Sequence, residues 1–497
     1  MPSKKMIILG GGTAGWMAAN VLNHQLQSQN VQITLVESPA IGTIGVGEGS
    51  TPHLKRFFDL LGVSEQEWMP KCHASYKNGI SFIDWTEHLP SNRYFHPFPS
   101  IIDRQTAMAF LGSCMARHKG KNLVTNPDHY FLANVLSQQG MGPKTKPDKP
   151  PIPLNYAYHF DSSLVGLFLT ELAVKNGVRH IQGTYTRAHL NPSNSNISAI
   201  ELDDGSVHKA DFFIDASGFS SHLLQKELKV GFDSFADNLF NDSAIAIPSP
   251  VASPLLAETK ATALKYGWAW HIPLTTRTGN GYVFSQKYCS FEQAETELRQ
   301  HIGVSAAQAP ARHIKMKVGQ VKQAWRNNVV ALGLAQGFIE PLEATALHLV
   351  METLGLFLQG FRDGNYTHAD LETFNQSINQ RYQGIRDYIV CHYKVNTRSD
   401  TAYWRDCANL SSLSDNLKAV LGAWDAGKDI TPILTERKMT QYYPVISWYC
   451  LLAGYGRFSR ETTEQTNTDH NFERMQAYLQ KTAMQFNSHE HLLKMNT

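Results

Sequence analysis

Short apolar runs alternate with polar segments along this chain, and the first of these runs predict a parallel βαβ unit. The apolar runs Met6 to Leu9 and Val31 to Val36 have the length of buried strands. A glycine turn follows the first run, and the segment between the turn and the second run is compatible with a helix. We therefore expect the chain to begin as an α/β fold.

The later pattern predicts a mixed middle and a helical end. The proline-rich stretch 143–153 predicts an exposed connection without regular structure. After it we expect a helix ending near Gly177, a hairpin of two or three strands, and an apolar strand ending at Asp215. The remaining predicted elements are strands near Trp268–Ile272, Gly281–Ser285 and 327–335, a helix from about Leu342 to Phe361, and mostly helices up to about Lys494.

Composition excludes several classes of protein. The 497 residues carry 45 basic and 43 acidic side chains without long runs of one sign, so neither nucleic acid nor a membrane surface is an expected partner. Six scattered cysteines without a CxxC pair predict reduced thiols in a cytoplasmic protein and no zinc cluster. No apolar run of about 18 residues predicts a membrane span, and the N-terminal apolar run is too short for a signal peptide.

The histidines near the C-terminus do not predict a metal site. His489 and His491 lie two residues apart in SHEHLLK, so on a helix they would point to different faces. We expect a solvated tail there.

The glycine turn carries a dinucleotide fingerprint. Gly10, Gly12 and Gly15 have the GxGxxG spacing between a strand and a helix, and Glu37 ends the second strand, where a carboxylate can accept ribose hydroxyl groups. The fingerprint alone does not separate FAD from NAD. FAD is favoured because no second GxGxxG is present to bind NADPH, and because DASG (215–218) resembles a flavin motif of monooxygenases, although an ordinary strand end explains DASG equally well.

Five further segments, in order, resemble the flavin-dependent tryptophan halogenases. The most specific is GWAWHIPL, with the WxWxIP motif of that family at Trp268, Trp270, Ile272 and Pro273. The others are GVGEGSTP (45–52), ASYKNGISF (74–82), GFIEPLEAT (337–345) and DTAYWRDC (400–407). Any one of them could be core packing, but all five together indicate the family.

The resemblance implies a fold and a cofactor site. The fold would be a Rossmann-like FAD-binding module of the flavoprotein monooxygenase type, interleaved with a mostly helical substrate module. We expect the FAD module at 1–345, with a substrate-facing insertion near 70–153, and the helical module at 346–497. The expected FAD contacts are Gly10, Gly12, Thr13, Ala14, Gly15, Glu37, Gly47, Glu48, Leu334 and Leu347.

The resemblance also assigns the catalytic pair. By itself, Lys77 is either a surface lysine or a buried amine kept for chemistry. The family match implies the second, with Lys77 presenting hypohalous acid to an aromatic carbon. The matching carboxylate is Glu343, which would stabilise the cationic ring and take its proton. Glu340 is its nearest competitor, and a helix acid that compensates the dipole is the structural alternative.

The halide and substrate residues follow from the same match. Thr345 and Ala346 would hold the halide through backbone N–H groups, with Ala346 replacing the usual glycine and Ala344 the usual serine. The substrate residues are expected at His96, Phe98, Trp448 and Tyr449. No acidic residue follows Tyr449 before Glu461, so we expect poor capture of a free amino acid.

The sequence therefore predicts a cytoplasmic halogenase of indole or another electron-rich aromatic compound. It would use FADH2, O2 and chloride or bromide, with a separate flavin reductase as partner. Two alternatives remain, namely a flavin-dependent hydroxylase and a flavin-binding protein without catalysis. Whether the chain forms a homodimer is left open.

Overall fold

The computed structural model describes residues 4–40, 47–87, 92–305, 308–365, 367, 369–458 and 470–496. The chain divides into two compact units. The first unit comprises residues 1–73, 160–236 and 317–382, and the second comprises 74–159, 237–316 and 383–497. Thr345 and Ala346, at the predicted module boundary, both lie in the first unit, and that boundary stays a prediction.

Short strands and helices follow one another along the described part of the chain. The strands are β1 (Lys4–Leu9), β2 (Val31–Glu37), β3 (Gly47–Gly49), β4 (Ser75–Lys77), β5 (Gly79–Ile83), β6 (Arg93–Pro97), β7 (Met141–Thr145), β8 (Ala157–Asp161), β9 (Arg179–Gln182), β10 (Tyr185–Leu190), β11 (Ile197–Leu202), β12 (Val207–Lys209), β13 (Phe212–Asp215), β14 (Phe232–Ser234), β15 (Ser243–Ser249), β16 (Glu258–Leu264), β17 (Gly267–Pro273), β18 (Thr278–Phe284), β19 (Arg312–Lys315), β20 (Gly319–Val321), β21 (Trp325–Arg326), β22 (Val329–Ala331), β23 (Gly337–Phe338) and β24 (Phe486–Ser488). The α-helices are α1 (Thr13–Leu26), α2 (His53–Leu60), α3 (Glu65–Trp68), α4 (Arg104–His118), α5 (Leu132–Gln138), α6 (Ser162–Lys175), α7 (Phe291–Ile302), α8 (Ala346–Asp363), α9 (Leu371–Lys394), α10 (Ala402–Ala408), α11 (Asp415–Asp425), α12 (Thr431–Glu436), α13 (Val445–Gly454), α14 (His470–Ala483) and α15 (His489–Asn496).

The first unit is built on a largely parallel sheet with the strand order β21-β22-β13-β1-β2-β9. β1 lies parallel between β2 and β13, with Met6 opposite Ile33 and Phe212. Only the edge strand β21 runs antiparallel to its neighbour. The predicted βαβ unit is thereby confirmed. The carboxyl ends of β1 and β2 lie side by side, which is where open α/β sheets bind their ligands.

The second unit holds another sheet, with the order β19-β15-β18-β17-β16-β5-β6. β17 is an interior strand of this sheet and runs antiparallel to both β16 and β18. β4, which carries Lys77, pairs outside this sheet with β8, and Lys77 lies opposite Ala157. The C-terminal third is mostly helical, as the sequence pattern predicts, and its helices α10 to α15 belong to this unit.

Several predicted elements need correction. β7 contains Pro143 and pairs with β24, so the proline-rich stretch begins inside a two-stranded ribbon, where proline is tolerated at an edge. α8 begins at Ala346 rather than near residue 342, because Ala344 has a left-handed backbone conformation that interrupts the helix. The solvated-tail prediction is wrong for His489, which is fully buried at the start of α15, whereas His491 is exposed.

The six cysteines are free and buried, as predicted for reduced thiols. Within the described part of the chain, no helix has the length and apolar character needed to cross a membrane.

Candidate active site

The glycine turn between β1 and α1 leaves open space beside the backbone. A Cβ added to Gly12 would meet no atom within 4 Å. One on Gly10 would lie 2.2 Å from the carbonyl oxygen of Ala216, and one on Gly15 would lie 1.9 Å from that of Gly10. No described side chain caps the start of α1, and its first turn has no acidic residue. The backbone N–H groups there can receive an anion, which fits the diphosphate of FAD.

Glu37 reaches this turn next to Gly11, a glycine that sequence analysis did not single out. A Cβ on Gly11 would lie 1.5 Å from Glu37 Oε2, so the carboxylate takes the place of a side chain. The other oxygen, Oε1, accepts a hydrogen bond from His180 Nε2 at 2.7 Å. The ring of His180 stands edge-on to Trp16, with 5.0 Å between centroids. The carboxylate is thus oriented by a histidine that no sequence signal indicated.

A second segment of the first unit meets α1 near its start. The turn Gly333–Ala335 contains Leu334, and a Cβ on Gly333 would lie 2.8 Å from that of Ala14. Ala14 and the turn bearing Leu334, more than 300 residues apart in sequence, are therefore neighbours. Leu347 lies in the first turn of α8.

The carboxylate of Asp215, at the end of β13, is hydrogen-bonded by the turn that follows this strand. Its buried carboxylate accepts hydrogen bonds from the N–H groups of Leu223 and Leu224 at 2.9 and 2.8 Å. It also accepts one from Ser217 Oγ at 2.5 Å. These bonds hold the π-helical turn His222–Glu227 against the strand end. They support the interpretation of DASG as an ordinary strand-to-turn ending.

Glu48 on β3 has a carboxyl group with a raised pKa. Burial raises the pKa of Glu48 to about 7, and the negative charge of Asp161 adds to this effect, although a hydrogen bond from Ser162 opposes it. Gly45 and Val46, which begin the predicted GVGEGSTP segment, lie outside the described residues.

Glu343 lies buried in the turn Pro341–Glu343 that precedes α8. Ala344 then has φ of 54°, a left-handed conformation that is uncommon for a residue with a Cβ. Thr345 follows, and no described side chain caps the start of α8, whose first turn has no acidic residue. The N–H groups at this end can therefore receive an anion, as the halide prediction requires.

Burial does not distinguish Glu343 from its competitor. Glu340 is 1% exposed and Glu343 is 7% exposed. The choice between them rests on the family match alone.

Lys77 is fully buried, which excludes the interpretation as a surface lysine. Its Nζ lies 5.7 Å from the centroid of the Phe98 ring, at a distance compatible with a cation–π contact. Phe98 follows β6, which also carries His96. The structure thus places the predicted lysine beside one of the predicted substrate residues.

A buried hydrogen-bond network links the strand of Lys77 to the WxWxIP strand. Ser75 Oγ donates to the carbonyl oxygen of Pro273 at 2.6 Å and lies 3.1 Å from His159 Nδ1. His159 Nε2 lies 2.9 Å from Thr259 Oγ1 on β16. Burial, reinforced by the positive charge of Lys77, lowers the pKa of His159 well below its usual value. His159 is therefore neutral at neutral pH. Sequence analysis did not identify this residue, because its partners are distant in sequence.

The predicted motif tryptophans pack together on β17. The ring centroids of Trp268 and Trp270 are 6.2 Å apart, and both side chains are buried. The Trp270 ring covers Gly281 on β18, where an added Cβ would lie 2.0 Å from it. Trp270 therefore needs a glycine at position 281, and the sequence pattern did not reveal this requirement.

Two predicted substrate residues meet at Tyr388, a residue of α9. The ring centroid of Tyr388 lies 6.2 Å from that of His96 and 4.9 Å from that of Trp448, both nearly perpendicular. Tyr443 stacks on Tyr388 at 3.6 Å. These four rings form an aromatic wall within the second unit.

Tyr449 does not join this wall. Its hydroxyl group donates to Asp429 Oδ1 at 2.8 Å, and its ring packs edge-on against Trp424. Trp448 and Tyr449 thus contact different residues, since adjacent helical residues point to different sides of α13, and the substrate role of both stays a prediction.

Comparison with known families gives a match along nearly the whole chain. The sequence model of the family described as tryptophan halogenase matches residues 5–470. The chain is 35% identical over 483 residues to the 7-chloro-L-tryptophan 6-halogenase KtzR of Kutzneria sp. (strain 744), covering 91% of this chain and 90% of that protein. It is 33% identical over 480 residues to the tryptophan 6-halogenase SttH of Streptomyces toxytricini, covering 91% and 89%.

Solved structures agree with the sequence comparison. The structure of Tar14, a tryptophan C-6 flavin-dependent halogenase from taromycin biosynthesis, superposes with a TM-score of 0.87 at 31% identity. The superposition covers 99% of this chain and all of that one. The α/β fold with a Rossmann-like module is thereby confirmed.

Proposed function

Because this chain belongs to the tryptophan halogenase family, we propose that it is an FADH2-dependent halogenase that acts on indole or a similar electron-rich aromatic compound. The single observation that supports this proposal most is the complete burial of Lys77 beside Phe98. A fully buried amine next to an aromatic ring is shielded from bulk water, and this is the environment in which an amine can act on a reactive halogen species.

The residues of the first unit would bind the cofactor and the halide. The N–H groups at the start of α1 would bind the diphosphate over Gly12, and Glu37 would accept the ribose hydroxyl groups. When bound, FADH2 would supply electrons that reduce O2, and the reduced oxygen would take further electrons from chloride or bromide to give hypohalous acid. The backbone N–H groups of Thr345 and Ala346 would hold the halide.

Lys77 would present the halogen to the substrate. Its Nζ either donates a hydrogen bond to hypohalous acid, which polarises the O–halogen bond, or accepts the halogen as a haloamine. Glu343 would stabilise the cationic ring that follows addition and would accept the ring proton.

The shape of the aromatic wall supports a flat substrate. The rings of His96, Tyr388 and Trp448 offer edge and face contacts to an aromatic ring. The Tyr449 hydroxyl group donates to Asp429, and no acidic residue follows Tyr449 in the sequence before Glu461, which disfavours capture of a free amino acid. We propose that free tryptophan is a poorer substrate than indole, because its ammonium and carboxylate groups would lose water without gaining partners.

Several features complete the proposal. A separate flavin reductase would supply FADH2, the enzyme would work in the cytoplasm, and Trp268 with Trp270 would keep the substrate away from the flavin. The division into an FAD module (1–345) and a helical module (346–497) is part of the same proposal.

The test is a product assay with bromide, O2, FADH2 from a separate reductase, and either indole or L-tryptophan. We expect bromoindole by mass spectrometry, with a higher kcat/KM than for tryptophan. The matched control omits bromide and should give no product. Hydroxylated indole would instead support the monooxygenase alternative, and oxidation of FADH2 without any aromatic product would support a flavin-binding protein without catalysis.

A further inference from the structure

Two histidines and a glutamate come together in the first unit at a place that the proposed chemistry does not use. His53 begins α2, and His348 and Glu352 lie one turn apart on α8. A potential ligand atom from each of the three lies within 4.8 Å of those of the other two. We propose that His53, His348 and Glu352 form a binding site for a late first-row divalent cation of the Zn²⁺ type.

The spacing on α8 supports a shared ligand position. Residues at i and i+4 occupy one face of a helix, so His348 and Glu352 present their side chains together. His348 Nε2 lies 3.5 Å from Glu352 Oε1. Two ligands held at this separation by one helix need only a third from elsewhere, and His53 supplies it from α2.

The surroundings orient the ligand atoms. Arg381 Nη2 binds Glu352 Oε2 at 2.9 Å, which leaves Oε1 directed towards His348. Thr51 Oγ1 lies 3.3 Å from His53 Nδ1, and a hydrogen bond from that nitrogen to the hydroxyl oxygen would leave Nε2 with its lone pair. Outer hydrogen bonds of this kind fix the tautomer and ring orientation of metal ligands.

The ligand set selects the class of cation. Mg²⁺ and Ca²⁺ prefer oxygen ligands, whereas two imidazoles with one carboxylate suit Zn²⁺, Co²⁺, Ni²⁺ or Cu²⁺. The positive charges of Arg381 and Arg56 oppose any cation, so only a metal with high affinity for imidazole can bind. The rings of His53 and His348 are stacked with centroids 3.6 Å apart and planes 12° from parallel. Binding therefore requires the two rings to tilt apart about their Cβ–Cγ bonds.

Occupation of this site would join α2 to α8. α8 begins two residues before His348, and its first residues are those proposed to hold the halide. A bound metal would therefore stabilise the fold through binding to the native state alone. The inference does not depend on the proposed function, since it concerns metal affinity and not catalysis.

The experiment uses the purified full chain after removal of metals with a chelator. Zn²⁺ is titrated in competition with a chromophoric indicator, and Co²⁺ is titrated with visible absorption spectroscopy. We expect about one Zn²⁺ per chain, tetrahedral Co²⁺ absorption bands, and a Tm that rises with Zn²⁺. His53→Gln and His348→Gln should each weaken Zn²⁺ binding by about 10-fold or more and abolish the Tm rise.

A matched control comes from the second unit. His313 hydrogen-bonds Glu295, which also binds Arg299, but the ring of His313 stacks on Phe291 rather than on a second histidine. His313→Gln should leave the stoichiometry, Zn²⁺ affinity and Tm rise unchanged. Unchanged Zn²⁺ binding in the His53 and His348 variants, which are checked for folding without metal, would overturn the proposal. So would a wild-type protein that binds no Zn²⁺ at 100-micromolar concentrations, on the order of the weakest metal sites of proteins.

Discussion

The glycine turn of the first unit is made of residues without side chains and leaves open space at Gly12, whereas Lys77 in the second unit is enclosed by side chains. Gly12 faces open space, and its neighbours Gly10 and Gly15 are glycines because backbone oxygens lie where a Cβ would be. Lys77, in contrast, is fully buried beside Phe98 and on a strand held by Ser75 and His159.

The difference shows two ways of making a site. A diphosphate is recognised by backbone N–H groups, so a short run of residues with little bulk is sufficient. A reactive amine needs surroundings that exclude water and hold their polar groups in fixed orientations. Such surroundings are built from side chains of several strands. Ser75, His159, Thr259 and Pro273 come from β4, β8, β16 and β17.

The strongest test of this comparison is to remove the amine while keeping its bulk. Lys77→Met should fold, bind FAD and consume O2, but lose aromatic halogenation by roughly 100-fold or more, because the halogen is no longer presented to the ring. Product formation by mass spectrometry, set against hydrogen peroxide or hypohalous acid release, is the measurement.

A matched control is Lys144→Met. Lys144 Nζ lies 5.3 Å from the Tyr76 ring centroid, in the same unit, yet no catalytic role is assigned to it. Its replacement should leave halogenation within about 2-fold. Substantial aromatic halogenation by Lys77→Met would show that Lys77 only packs and has no chemical role.

The glycine turn can be tested by contrasting two of its positions. Gly12→Val should weaken FAD binding by about 100-fold, or 2.7 kcal/mol, because the side chain would occupy the diphosphate position. Its extended backbone, with φ of −73°, accepts valine, so the free energy of unfolding without FAD should fall by no more than about 1 kcal/mol.

Gly15→Ala should show the opposite balance, with its main effect on the free energy of unfolding. Its Cβ would overlap the carbonyl oxygen of Gly10, so the protein without FAD should lose roughly 3 kcal/mol of stability. Flavin fluorescence titration and urea unfolding measure the two quantities. If Gly12→Val bound FAD normally, the diphosphate site would have to lie elsewhere.

The packed character of the second unit predicts a pH effect from His489. This buried ring accepts a hydrogen bond from the Tyr76 N–H group, next to Lys77, and donates one to the carbonyl oxygen of Leu255. Burial lowers its pKa to about 4, below the unfolded value of 6.5, so unfolding takes up a proton between these pH values. Its contribution to stability is complete above pH 6.5 and is lost as pH falls.

Between pH 7 and pH 5 the free energy of unfolding of the wild-type protein should fall by about 2 kcal/mol more than that of His489→Gln. Urea unfolding across this range gives the slopes. The control is His491→Gln, whose exposed ring lies on the same helix and should leave the slope of the wild-type protein unchanged. Parallel slopes for the wild type and His489→Gln would contradict the assignment.

The smallest expected effect comes from the network beside Lys77. Ser75→Ala removes the donor to the carbonyl oxygen of Pro273 and should cost about 1.5 kcal/mol, because a buried acceptor is left without its bond. Ser137→Ala is the matched control, since that equally buried hydroxyl makes only a long 3.4 Å bond to Ala257. Equal losses in the two variants would show that the network has no special role.

The sequence predicted much of the fold because several patterns are local. The strand, glycine turn and strand at the N-terminus were confirmed as β1, the turn and β2, and the strands near Trp268 and Gly281 were confirmed as β17 and β18. It failed where tertiary packing overrides local pattern. The SHEHLLK segment has the composition of a polar tail, yet His489 is buried because its two nitrogens find backbone partners in other segments.

The sequence alone determined the family, the glycine turn and the identity of the candidate lysine, because each depends on residues that are close together or match a motif in order. Only the tertiary structure decided that Lys77 is buried, that Gly11 admits the carboxylate of Glu37, and that Tyr449 donates its hydroxyl hydrogen to Asp429. Only it brought His53 to His348 and Glu352. The physical reason is that burial, hydrogen-bond partners and the proximity of distant segments arise from chain packing and leave no periodic trace in the order of residues.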